Sequence, residues 1–88
     1  MKIIEGFKLR RIGTEYIVTG EGLGQVDFNQ MIGMNASAAY LWQQVENKDF
    51  DTDTLASLLT EHYEVDEATA RADAQEILQN WADARIIE

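Results

Sequence analysis

At 88 residues the chain has room for one core, since two cores would each sit near the lower limit of independent folding, and a multidomain enzyme is excluded. With 45% hydrophobic and 26% charged residues, the composition is that of a folded globule and excludes intrinsic disorder. Sixteen acidic against seven basic residues give a net charge of −9, a field that repels nucleic acid and anionic bilayers and argues against both as partners.

The charge is unevenly placed from the first residues onward. Lys2, Lys8, Arg10 and Arg11 against Glu5 give residues 1–11 a net +3, which leaves −12 for residues 12–88. No apolar run in MKIIEGFKLRR resembles a secretion signal and no 18 apolar residues follow one another, so the expectation is a soluble cytoplasmic protein away from membranes. From Phe7 to Met34 the pattern is strand-like. FKLRRIG alternates Phe7, Leu9 and Arg11 against Lys8, Arg10 and Ile12, Gly13-Thr14 makes a tight connection, and TEYIVTG follows as a β-branched and aromatic run. GEGLG at 20–24 holds three of the six glycines and suits a hairpin loop, with QVDFNQMIGM as a third strand. Links this short select an antiparallel meander of order 1-2-3, because parallel neighbours need crossovers of about a dozen residues.

After Asn35 the period becomes helical. Ala38, Leu41, Trp42 and Val45 fall on one face of a helix predicted over 36–46, with Asn35 as its N-cap. The DTDT cluster caps a second helix over 53–63 that aligns Leu55, Leu58, Leu59 and His62. Asp66 caps a third over 67–84, whose stripe is Ala70, Ala74, Ile77 and Trp81. The fold class is therefore α+β: a three-stranded antiparallel meander followed by a three-helix bundle, in one domain over 1–88.

The usual chemical constellations are missing. There is no cysteine, and His62 is the only histidine, with no diagnostic carboxylate spacing around it; it reads as a residue at the core margin. GEGLG lacks the lysine and following helix of a phosphate cradle. DFDTD lacks the glycine and glutamate that complete a calcium loop, and reads as helix capping. Neither catalysis nor a cofactor nor a metal is expected. What stands out is an unequal treatment of sheet edges. Strand one carries Lys8, Arg10 and Arg11, whereas strand three has Asp27 among Val26, Phe28, Met31 and Ile32, a weak defence against pairing. Three arrangements are open: an extended peptide adds to strand three, the third helix covers it, or a homodimer pairs through it.

The run IGMNASAAYLW places Asn35 before a small-residue helix start that ends in Leu41-Trp42. It resembles the corresponding segment of the PqqD family, the pyrroloquinoline quinone biosynthesis protein D-like group. The resemblance continues through DTDTLASLLTEHYEVD and the Ala70-to-Asp73 spacing, and it closes in the Ile77-Leu78, Trp81 and Arg85-Ile86-Ile87 pattern, spanning Phe7 to Glu88. It implies a winged-helix-like arrangement of the strands and helices. It also implies a non-catalytic, leader-peptide-binding recognition element, which takes the leader of a ribosomally synthesised precursor peptide as an added strand and presents it to a modifying enzyme, often a radical S-adenosylmethionine enzyme. The leader's place, carried over from the family, is Phe28, Asn29, Gln30, Met31 and Ile32 on strand three, and Arg71, Gln75 and Leu78 beside it on the third helix. The GEGLGQVDF stretch departs from the shorter, more hydrophobic hairpin of the family. The acidic surface beyond residue 11 would favour a basic leader or a basic enzyme surface.

Rival readings are a protein-protein adaptor without peptide binding, a winged-helix regulator and a carrier protein. The third helix sets Arg71 and Arg85 against Glu67, Asp73, Glu76 and Asp83, a poor charge balance for DNA. Ser57-Leu58 is similar to a carrier's attachment site, but Ala56 stands where its aspartate would be. Monomer and homodimer are left open.

Overall fold

A computed structural model describes residues 1–20 and 31–88. Three strands, β1 (Phe7–Ile12), β2 (Glu15–Gly20) and β3 (Met31–Met34), precede three helices, α1 (Ala36–Val45), α2 (Thr52–His62) and α3 (Glu67–Asp83). The strands form one antiparallel sheet of order β1-β2-β3, as the short links require. Gly13, at φ +65°, supplies the positive φ at the first loop position that lets a two-residue connection join Ile12 to Glu15. Of the third strand expected over 25–34, the described part is β3; the rest, with Glu21 to Gly24 of the glycine-rich connection, lies outside the described residues.

Strand pairing settles which face meets the helices. Phe7↔Gly20, Leu9↔Val18↔Ile32 and Tyr16↔Met34 share one face, and Val18 on it is fully buried. Lys8↔Thr19↔Met31, Arg10↔Ile17↔Gly33 and Ile12↔Glu15 share the other. There, Ile12 and Met31 are 56% and 64% exposed.

Each helix begins on a side-chain oxygen that accepts from the N–H three residues on, satisfying one of the orphan donors of the first turn. Asn35 accepts from Ala38 at 2.8 Å, Asp51 from Thr54 at 2.8 Å, and Asp66 from Thr69 at 2.7 Å. Thr54 returns the favour by accepting from the Asp51 N–H, which completes a capping box. Leu41, Trp42, Val45, Leu55, Leu59, Ala70, Ala74, Leu78 and Trp81 bring the three helices into one core with Phe7, Val18, Phe50 and Ile86. Trp81 sits edge-on to Trp42 and Phe50, at 5.4 and 6.0 Å between centroids, a preferred aromatic geometry.

Two expectations about helix faces change. Leu78, not Ile77, completes the buried stripe of α3; Ile77 is half-buried on its flank. His62 is exposed at the end of α2 and stacks flat on Tyr40, 4.0 Å between centroids, rather than lying at the core margin. The chain ends meet. Ile3 bridges Ile87, with Lys2 and Glu88 exchanging two 2.8 Å backbone hydrogen bonds, and the Met1 ammonium donates to the Phe50 carbonyl at 2.9 Å. Among the described residues no helix is long and apolar enough to cross a membrane, and no three His, Asp or Glu side chains gather as a metal site.

Candidate functional site

The site follows from the orientation of β3. A two-residue loop closes β1 and β2 on a hydrogen-bonded pair, Ile12 with Glu15, and antiparallel pairs alternate between hydrogen-bonded and non-bonded along the ladder. Ile17 and Thr19 therefore bond toward β1, while Tyr16 and Val18 bond toward β3. Their partners Met34 and Ile32 spend their backbone groups on β2. Met31 and Gly33 then direct N–H and C=O toward the outer edge, where no described strand pairs with them.

Beside that edge runs a shallow groove of about 160 Å³. Its sheet wall is Ile32, Gly33, Met34 and Asn35, and its helical wall is Ile77, Asn80 and Trp81, with Ala38 of α1 also lining it. The sequence positions each wall. Asn35 caps α1 directly after β3, which turns the chain sharply and brings Ala38 to the groove. The buried Ala70, Ala74 and Trp81 of α3 fix its rotation, so Ile77 and Asn80 flank the sheet. On the opposite face Met31 and Gly33, with Thr14, Ile17 and Met34, border a wider depression of about 620 Å³. A strand added to β3 would thus send alternate side chains to the groove and to that open face.

The residues carried over by resemblance do not all converge here. Ile32 lines the groove; Met31 lies on the edge with its side chain on the outer face. Phe28, Asn29 and Gln30 lie outside the described residues. Leu78 is 7% exposed and belongs to the core. Arg71 faces α2, where it donates to Asp53 and stands 3.8 Å from Glu67; the Asp53 hydrogen bond, then the nearby negative charges, raise the guanidinium pKa above its ordinary value. Gln75 is exposed, one turn along α3 from Arg71, and does not line the groove. At about 100° per residue, positions 71, 75 and 78 share one flank, the one on which Arg71 meets Asp53 of α2, and are turned away from Ile77 and Asn80. Sequence reasoning missed Gly33, Asn80 and the groove role of Ile77. No local signal marked them: a Cβ at Gly33 would meet nothing within 4 Å, so even its glycine does not mark a close approach.

The fold and its edge define a small α+β domain in which the last strand of a meander, paired on its outer edge with no described strand, lies beside the last helix. The family model described as Coenzyme PQQ synthesis protein D (PqqD) matches residues 9–87, and the chain belongs to the PqqD family. A solved structure of TbiB1 in complex with the TbiA(beta) leader peptide has the same fold, with a TM-score of 0.77 over 100% of this chain and 95% of that one at 19% identity. No curated protein matches the sequence.

Proposed function

We propose that this protein is a non-catalytic recognition element for the leader of a ribosomally synthesised precursor peptide, which it binds as a fourth strand on β3. The observation that carries the reading is the open edge at Met31 and Gly33 beside the Ile77 and Asn80 groove. Membership of the PqqD family supports it, as does the shared fold with TbiB1, which was solved with a leader peptide. Backbone pairing fixes the leader's register, and apolar side chains dropping between Ile32 and Ile77 supply the anchors. The family resemblance adds Phe28, Asn29 and Gln30 to the proposed leader contact. The bound leader holds its attached core peptide at high effective concentration near a partner enzyme, of the radical S-adenosylmethionine class or another modifying class. The chain itself supplies binding and no chemistry.

The test is affinity capture of the tagged protein from its own host, with mass spectrometry of the peptides retained. Gly33→Pro removes an edge N–H, and a Cβ at Gly33 meets nothing within 4 Å. Gly33→Ala keeps the N–H. The expected result is a short precursor peptide retained by the native chain and Gly33→Ala but lost by Gly33→Pro with an unchanged circular dichroism spectrum. Retention of folded proteins alone, without a precursor peptide, would favour the adaptor reading instead.

A further inference from the structure

The helical wall of the groove, Ile77, Asn80 and Trp81, is itself uncharged, and the charges that adjoin it on the same flank of α3 are acidic. Asp73 and Glu76 precede Ile77 and Asn80 by four positions each, so they continue the same flank of α3 one turn earlier, and both are exposed. The one cation of α3, Arg71, is turned to α2 and engaged by Asp53 and Glu67. The sheet wall, Met31 to Met34, is uncharged. The cations of β1 lie two strand spacings away, about 10 Å, which is near the screening length at physiological salt. We infer that the groove selects a leader segment carrying Lys or Arg next to its apolar anchors, the basic side chain lying along the Asp73 and Glu76 flank. This deepens the leader-binding reading and rests on it. The net charge of the chain would favour basic partners anywhere on the surface; the geometry localises the preference to one wall and to the residues adjoining the anchors.

The experiment is an mRNA-display selection of random peptides of roughly 12 residues on the full chain. It is followed by fluorescence anisotropy with the most enriched peptide and a twin in which each Lys or Arg is replaced by Glu. Enriched peptides should carry apolar residues two apart with Lys or Arg beside them. The Glu twin should bind about tenfold more weakly at low salt, two exposed pairs each contributing roughly threefold, with the gap closing as salt rises. In Asp73→Lys/Glu76→Lys the order should reverse, a gain that a misfolded variant cannot show. Enriched peptides that are acidic or uncharged, or an order unchanged in the double variant, would overturn the inference while leaving leader binding standing. Failure to enrich any extended peptide would overturn the leader-binding reading itself, and this inference with it.

Discussion

Arg85 occupies a backbone position that favours glycine. Its φ of +61° follows Ala84 at the end of α3, where Arg85 N–H donates to the Ala82 carbonyl and Ile86 N–H to the Trp81 carbonyl, the paired hydrogen bonds of a Schellman close. A side chain with a Cβ holds this left-handed conformation at a cost of about 1–2 kcal/mol. Part of that gain would be lost through the freer unfolded chain of a glycine variant. Arg85→Gly should therefore raise the melting temperature by about 2–6 °C, measured by circular dichroism. Residues of this scale were unevenly legible. Asn35 and Asp66 could be read as caps because the interaction spans three residues and needs no partner from elsewhere. The conformation of Arg85 could not, because it is imposed by the fully buried Ile86 that follows and by the pairing of Ile87 with Ile3.

At the scale of elements, the exchange of Ile77 for Leu78 shows what periodicity leaves open. A 3.6-residue repeat establishes that residues 67–83 form a helix with a buried side, but four positions spaced by three and four fit more than one rotation. The rotation is chosen by what packs on either flank: Leu78 is taken into the core, and Ile77 is left half-covered in the groove beside β3 and α1. Leu78→Ala should cost about 2–4 kcal/mol in chemical denaturation, whereas Ile77→Ala should cost about 1 kcal/mol, because much of its surface is already in water. The meander and its strand order were legible from link lengths alone. The position of the candidate site on the strand was not, since the outward direction of Met31 and Gly33 depends on a hydrogen-bonding phase set at the Gly13-Thr14 turn, more than a dozen residues away. Likewise, nothing local to Arg71 or Gln75 says that their flank turns to α2.

Across the whole molecule, acidity and helix capping oppose each other as pH falls. Asp51 and Asp66 have pKa values lowered chiefly by the backbone N–H groups of Thr54 and Thr69, and then by those residues' side chains. A carboxyl whose folded pKa is depressed contributes stability that is present in full above its unfolded value, near 3.8, and disappears as pH falls through the folded value. Protonation of the remaining acids meanwhile relieves the repulsion of a −9 chain. Melting temperature should therefore hold or rise slightly down to about pH 4 and fall below it. In Asp51→Asn/Asp66→Asn, whose amides still cap, the acid limb should be shallower in thermal melts taken from neutral to acidic pH. The family was legible at this scale although no short motif was diagnostic, because the ordered succession of strands, caps and aromatic helix closes spans nearly the whole chain. The union of the chain ends was invisible, since Ile3 and Ile87 meet only once everything between them has folded.

The described edge of β3 bears on how a guest strand would be held. Among the described residues the two that point outward, Met31 and Gly33, offer about four main-chain hydrogen bonds, each worth roughly 1 kcal/mol net, so pairing at these two alone corresponds to about millimolar binding. Residence would then be governed by the few side chains that reach the groove, and losing one anchor would shorten it steeply. On the proposed function, release would follow withdrawal of the anchors, leaving the edge free for the next precursor.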